Sequence, residues 1–205
     1  MKENNYKIKI WRDNIYNSID DYCDNSLTIY FFNDNYKHLN NIEVNLDRTC
    51  YENSIEDYED ERDNFQEDLE YLKSLNIVDI VGIDIDDYGV IFHNLDKDNL
   101  EWQDFFDYDG FVFSTKKKLD ILGTPGEYQK KVFKQDLKTL KAILEGNVYS
   151  ITKDCFEICK CCGQKVYQED GDFVTVFGYN EIFSKETADY LGVTTNELYD
   201  TEIGV

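Results

Sequence analysis

The cysteines between residues 155 and 162 are the residues whose type and spacing most directly suggest chemistry. The run Cys159-Lys160-Cys161-Cys162-Gly163 contains one C-x-x-C pair followed by glycine. This is the spacing of half a zinc knuckle, in which thiolates on a tight turn hold one side of a tetrahedral ion. Cys159 and Cys162 are therefore the candidate metal ligands.

A complete tetrahedral site needs two further ligands. Cys155 is near enough in sequence to be a third, whereas the other candidates would have to come from distant segments: Cys23, Cys50, His38 and His93. A cysteine-containing turn that joins two strands explains the same residues at least as well. We therefore expect no cofactor, and a structural zinc ion remains the alternative.

A catalytic constellation is harder to find. Asp84, Asp86 and Asp87 follow a predicted strand and could in principle hold Mg²⁺. Metal-dependent nucleases and phosphatases also need basic residues that hold phosphate, and this neighbourhood has none. The two histidines have no recognisable nucleophile as a partner, and no phosphate-binding loop or serine-hydrolase motif occurs. We predict that the protein is not an enzyme, and keep a small metal-dependent enzyme as a third alternative.

Charge is the largest signal in the composition. The chain has 43 acidic and 21 basic residues, a formal net charge of −22. Residues 1–110 carry 28 acidic and 9 basic side chains, while residues 111–150 carry 4 acidic and 8 basic. Such a field repels nucleic acids and anionic membranes and attracts basic protein surfaces. We therefore expect a protein partner, with no direct nucleic-acid or membrane binding.

Two segments concentrate this negative charge. A helix predicted at 54–75 carries carboxylates on successive turns, about 6 Å apart, which could resemble a phosphate array. Its candidate partner-binding residues are Glu56, Glu59, Asp60, Asp63, Glu67 and Glu70. Asp104 and Asp107 add a second acidic cluster, where Trp102 and Phe106 could anchor a protein contact. Acidic solubility without a partner is the competing interpretation.

The elements that must position these residues follow from hydrophobic periodicity. Apolar residues at helical spacing predict helices at 54–75 and 127–145, and alternating or β-branched runs predict strands before, between and after them. The fold class is therefore α+β, with an antiparallel or mixed sheet flanked by helices. We divide the chain into an acidic lobe, 1–125, and a cysteine-containing lobe, 126–205, which could also form one continuous domain.

The helix predicted at 127–145 also presents a row of lysines, Lys130, Lys134, Lys138 and Lys141, with Lys131 beside it. A nucleic-acid-binding face is one interpretation. The long-range field of a chain at −22 opposes it. We favour local pairing with acidic segments, or simple solvation.

Three segments resemble an uncharacterised family of small proteins from phages and conjugative elements of low-GC Gram-positive bacteria. They are Tyr6–Ile10, Asp109–Ser114 with Lys116, and Leu144–Tyr149, and residues 109–149 match best. Ser150 stands where the family usually has glycine, and a cysteine-bearing insertion follows it. The resemblance implies a mobile-element setting, in which small acidic proteins such as anti-CRISPR proteins and the DNA-mimicking ArdA antirestriction proteins counter host defence.

We therefore predict a counter-defence inhibitor that engages a CRISPR effector or restriction enzyme through a DNA-mimic-like acidic surface. The alternative is a phage accessory adaptor that binds a host protein through its aromatic patch, with charge incidental. No secretory leader or membrane-spanning segment is apparent, so we expect a cytoplasmic protein of the bacterial host cell with reduced thiols. A homodimer is compatible with the sequence.

Overall fold

A computed structural model describes residues 5–13, 26–32, 35–42, 59–101, 107–167 and 171–204, with the backbone alone at 59–65. The elements in chain order are β1 (Tyr6–Arg12), β2 (Thr28–Phe31), α1 (Glu59–Ser74), β3 (Ile77–Asp86), β4 (Gly89–Asn94), β5 (Gly110–Thr115), α2 (Lys116–Ile121), α3 (Gln129–Leu144), β6 (Val148–Ile158), β7 (Lys165–Tyr167), β8 (Asp172–Phe177), α4 (Lys185–Leu191), α5 (Thr195–Tyr199) and β9 (Ile203–Gly204). Short 3₁₀ helices lie at Lys37–Leu39, Gly126–Tyr128 and Tyr179–Phe183.

The chain forms two compact units, one from Met1–Asn17 and Ala142–Val205, the other from Ser18–Lys141. The predicted division at residue 125 does not follow these units. Strand β1 pairs antiparallel with β6 and parallel with β9, so the first and last described strands share one sheet. Hydrophobic periodicity locates single strands but does not say which of them pair, and this is why the sequence placed the division elsewhere.

The unit of residues 18–141 is built on a four-stranded antiparallel sheet in the order β2-β5-β3-β4. Strand β5 lies in the interior of this sheet, and five of its six residues are buried. Helix α1 contributes Leu69 and Leu72 to a core formed with Ile80, Phe111 and Phe113. Burying two leucines of one helix stabilises the packing by roughly 3–6 kcal/mol in total. This packing fixes which side of α1 faces solvent.

The other unit is built on a mixed sheet in the order β7-β6-β1-β9, in which β8 also pairs with β6. The eleven-residue β6 pairs with β8 along its first part and with β7 along its last three residues. Ile10, Ile151 and Val176 from the sheet pack with Leu191 of α4 and Leu198 of α5. The short hairpin β6–β7 is the feature of this unit that positions the cysteines.

The α+β fold class is confirmed, with one antiparallel and one mixed sheet. The helix predicted at 127–145 is observed as Gln129–Leu144, and Phe133, Leu137 and Leu140 of its predicted stripe are buried. The helix predicted at 54–75 is observed from Glu59, and residues 54–58 lie outside the described residues. Among the helices of the described ranges, none combines the length and apolar composition needed to cross a bilayer.

Candidate functional sites

One end of the antiparallel sheet gathers a group of aspartates that we call the acidic end. It is formed by the β3–β4 turn and by the segment that leads into β5. These two segments, residues 83–91 and 107–111, contain no Lys or Arg. Their carboxylates belong to Asp84, Asp86, Asp87, Asp107 and Asp109.

Backbone hydrogen bonds hold the acidic end in place. The carboxylate of Asp86 accepts from the N–H groups of Tyr88 (2.7 Å) and Gly89 (3.1 Å), which closes the β3–β4 turn. Asp109 accepts from Ile85 N–H at 2.8 Å, and its own N–H donates to Ile83 O at 2.8 Å. The segment before β5 is therefore joined to the end of β3, which brings the two acidic segments together.

Three exposed side chains of the acidic end can contact a partner, and we call them the tip: Asp87, Tyr88 and Asp107. Asp87 and Asp107 are exposed, and the Tyr88 side chain is 97% exposed. Asp84 is half-buried and lies 3.9 Å from Nε2 of His93. An exposed aromatic ring among carboxylates is a composition that protein interfaces use.

Two stacked aromatic rings, those of Tyr108 and His93, pack next to the acidic end. Tyr108 lies against Gly82, where an added Cβ would be 2.5 Å from the Tyr108 ring. The same ring stacks on His93 with a centroid separation of 5.0 Å. Gly82 therefore leaves the space that Tyr108 fills, and Tyr108 sits directly between Asp107 and Asp109 in the chain.

The opposite end of the sheet has a different charge. Lys73, Lys97 and Lys116 line a cleft of about 360 Å³ beside the start of β3, together with Asn76 and Gln129. The ten residues of β3 separate the two ends by roughly 30 Å. Two of these lysines already have an acidic partner: Lys97 pairs with Asp98 at 2.8 Å and Lys73 with Glu70 at 3.2 Å. Of these two ends, the acidic end has no Lys or Arg, whereas the cleft has charges of both signs.

Helix α1 presents only part of the predicted acidic face. Glu67 and Glu70 are exposed, as the packing of Leu69 and Leu72 requires. Glu70, however, accepts hydrogen bonds from Gln66 at 3.1 Å and Lys73 at 3.2 Å. Its charge is therefore partly neutralised within the helix.

The other predicted partner-binding residues have different outcomes. Asp107 is described and belongs to the acidic end. The side chains of Glu59, Asp60 and Asp63 lie outside the described part of the chain, as do the following residues altogether: Glu56, Trp102, Asp104 and Phe106. The sequence predicts the acidic end only in part, because it indicates a partner-binding role for Asp107 but a possible metal site for Asp84, Asp86 and Asp87.

A second site is the hairpin turn between β6 and β7, which we call the thiol turn (residues 159–164). Cys159 N–H donates to Gln164 O at 2.8 Å, and Gly163 N–H donates to Cys159 O at 2.8 Å. Gly163 has a φ of 72°, a conformation that glycine adopts without strain. The Sγ atoms of Cys159, Cys161 and Cys162 all lie within 4.8 Å of one another.

The hydrogen bonds of the thiol turn favour a thiolate at Cys159. The Cys161 side chain and then the backbone N–H groups of Cys161 and Cys162 donate to it, which lowers its pKa to about 7. The Sγ atoms of Cys159 and Cys161 are 2.7 Å apart, and this contact raises the pKa of Cys161 above its usual range. The turn therefore contains one thiol that ionises near neutral pH.

The predicted ligand set changes in two respects. Cys155 was expected to be near enough to serve as a third ligand, but it lies within β6, four residues before Cys159. An extended strand separates these Cα atoms by about 13 Å. Cys161 takes its place, because the tight turn brings together the side chains of the three cysteines Cys159, Cys161 and Cys162. The signal that could have found it is the C-x-C-C run itself.

An aromatic cleft in the unit of β1 and β6 had no predicted role. Its volume is about 540 Å³, and its walls include Tyr149, Tyr179, Phe183 and Tyr199. Phe183 and Tyr199 stack with centroids 4.2 Å apart. Arg12 also lines the cleft, and its guanidinium donates to the backbone oxygens of Glu145 and Gly146. These contacts show a packed rim and identify no ligand.

Comparisons with protein-family models, with curated proteins and with solved structures gave no match. The resemblance to mobile-element proteins stays a prediction. Function must therefore be inferred from the geometry and charge of the chain itself.

Proposed function

We propose that this protein binds the basic, nucleic-acid-binding surface of another protein through its acidic end, and so displaces the nucleic acid. The observation that carries the proposal is the convergence of five aspartates on two segments that contain no Lys or Arg. Strand pairing and the Asp109 hydrogen bonds hold these segments side by side. A fixed array of this kind binds with little loss of conformational entropy.

The charge distribution supports this orientation. A net charge of −22 accelerates approach to a basic surface, and the acidic end, which has no Lys or Arg, is the part of the described sheet that such a surface attracts most. Tyr88 can then supply the apolar contact at the centre of the interface. The acidic face of α1 contributes less at Glu70, which already has two partners.

The class of partner follows from the chemistry of the acidic end. A groove that grips phosphates offers the row of Lys and Arg side chains that such an array needs. The resemblance to mobile-element proteins favours a host defence protein, either a CRISPR effector or a restriction enzyme, in the bacterial cytoplasm. In that setting the protein is a counter-defence inhibitor and acts without catalysis.

A plaque assay tests this function directly. The protein is expressed in bacterial strains that each carry one CRISPR or restriction system, and phage plating efficiency is measured with and without it. Rescue of phage growth is expected in at least one strain. Asp87→Lys/Asp107→Lys should abolish the rescue, because it reverses charge at the tip without removing a hydrogen bond that closes the turn.

A matched control separates the acidic end from overall charge. Glu186→Lys/Asp189→Lys makes the same change of +4 at exposed positions of α4 in the other unit, and should keep the rescue. Equal loss in both variants, or retention in both, would contradict the proposal. If Trp102→Ala/Phe106→Ala alone abolished the rescue, the aromatic adaptor would be the better description.

A further inference from the structure

Beyond partner binding, we propose that the thiol turn is a zinc site in which Cys159, Cys161 and Cys162 supply three thiolates to one ion. Zinc bound by thiolates prefers tetrahedral geometry, with Zn–S distances near 2.3 Å. Within the described ranges, these cysteines form the only group of three or more His, Cys, Asp or Glu residues that could share an ion.

The positions of the sulfur atoms fit this coordination after small movements. A tetrahedral ion with Zn–S bonds of about 2.3 Å places its sulfur ligands about 3.8 Å apart. The three Sγ atoms already lie within 4.8 Å of one another, and the contact between Cys159 and Cys161 is 2.7 Å. Cys161 and Cys162 are exposed, so their side chains can rotate. A rotation that changes the Sγ–Sγ distances by about 1 Å brings them to the separation that the ion requires.

The backbone of the turn is organised as a metal-binding turn requires. The N–H groups of Cys161 and Cys162 donate to Sγ of Cys159 and so support a charged sulfur. Gly163 reverses the chain with its φ of 72°, and three residue pairs between β6 and β7 anchor the two ends. The ligand-bearing residues are therefore presented on a hydrogen-bonded hairpin turn, which brings them together before an ion binds.

Three thiolates leave one coordination position. Cys155 cannot fill it, because β6 holds its Cα about 13 Å from that of Cys159. We assign the fourth position to a water molecule, which the exposure of Cys161 and Cys162 allows. Thiolate donors also explain the choice of zinc over Mg²⁺ or Ca²⁺, which prefer oxygen ligands.

The experiment is a Co²⁺ titration of the full chain, reduced and stripped of metal with a chelator. Co²⁺ bound by thiolates gives a near-ultraviolet charge-transfer band whose intensity rises with the number of thiolates. One equivalent of Co²⁺ should bind, and the charge-transfer band should have the intensity expected for three thiolates. Zn²⁺ should displace the Co²⁺. Cys159→Ser, Cys161→Ser and Cys162→Ser should each weaken binding by more than about 100-fold, beyond the usual effect of changing a supporting residue.

Cys155→Ser is the matched control, because it removes a thiol of the same hairpin that lies outside the cluster, and it should leave binding unchanged. Protection of the thiols from alkylation by Zn²⁺, mapped by mass spectrometry, gives a second readout at each cysteine. Absence of a thiolate band would overturn the site. So would unchanged binding in Cys161→Ser, or a band that survives when all three cysteines are replaced by serine.

Discussion

At the level of single residues, Cys159 should be more reactive than Cys161. Its pKa of about 7 means that about half is thiolate at neutral pH, whereas the raised pKa of Cys161 keeps that thiol protonated. In the reduced, chelator-treated protein, iodoacetamide should modify Cys159 before Cys161, with a rate that is half-maximal near pH 7. Peptide mass spectrometry across pH 5–9 measures this directly.

The hydrogen bond from Cys161 is the largest cause of the lowered pKa, which gives the prediction a specific variant. Cys161→Ala should move the alkylation midpoint of Cys159 upward, while Cys155→Ala should not move it. Equal alkylation of Cys159 and Cys161 at pH 7 would contradict the geometry of the turn. The C-x-x-C spacing predicted Cys159 and Cys162. Cys161 was missed although it belongs to the same C-x-C-C run, because only the folded turn shows that its sulfur lies close to the other two.

At the level of elements, the space left by Gly82 should be needed for the packing behind the acidic end. A methyl group there would lie 2.5 Å from the Tyr108 ring, which also stacks on His93. Gly82→Ala should therefore destabilise the protein by about 1–3 kcal/mol, as overpacking of a well-packed site does. The midpoint of urea unfolding, followed by tyrosine fluorescence and circular dichroism, measures the loss.

Gly126→Ala is the control for this change. Nothing lies within 4 Å of a Cβ at Gly126, and its φ is not positive, so the substitution should be neutral or slightly stabilising. If the two variants unfolded at the same urea concentration, Tyr108 would not be packed on Gly82. Because Tyr108 lies between Asp107 and Asp109, Gly82→Ala should also weaken partner binding.

The elements themselves were largely predictable, and their pairing was not. The stripe of α3 follows from local spacing, and it occurs in the structure with Phe133, Leu137 and Leu140 buried. Strand β9 has only two residues, and it pairs parallel with β1, which lies almost 200 residues earlier in the sequence. No local pattern therefore predicts it. The acidic end was hard to predict for the same reason, because its two segments become neighbours only through the pairing of β3 with β5.

At the level of the whole molecule, the sequence gives the size of the net charge. Only the fold shows where in the molecule the charged side chains lie. The acidic end, which has no Lys or Arg, and the cleft, which has charges of both signs, lie at opposite ends of the same sheet, so the charge of the described part of this sheet is uneven along β3. A uniformly acidic solubility surface would not need this arrangement. Polarised charge should act mainly on the rate of association with the partner.

Salt dependence distinguishes these cases once the partner is identified. Between 0.05 and 0.5 M salt the Debye length falls from about 14 Å to about 4 Å, which screens the acidic end from a basic groove. We expect affinity for the partner to fall by at least about tenfold, mostly through slower association. Surface-immobilised partner and real-time binding measurements give both rate constants.

The two charge-reversal variants make this prediction specific to a surface. Each replaces two acidic residues by lysine and so changes the net charge from −22 to about −18, so a response to overall charge would be the same in both. Asp87→Lys/Asp107→Lys should show slow association even at low salt and a much shallower salt dependence. Glu186→Lys/Asp189→Lys should keep most of the wild-type slope, because its substitutions are not part of the acidic end. If association were equally insensitive to salt in all three proteins, an apolar contact would drive binding, and the large negative charge would serve solubility alone.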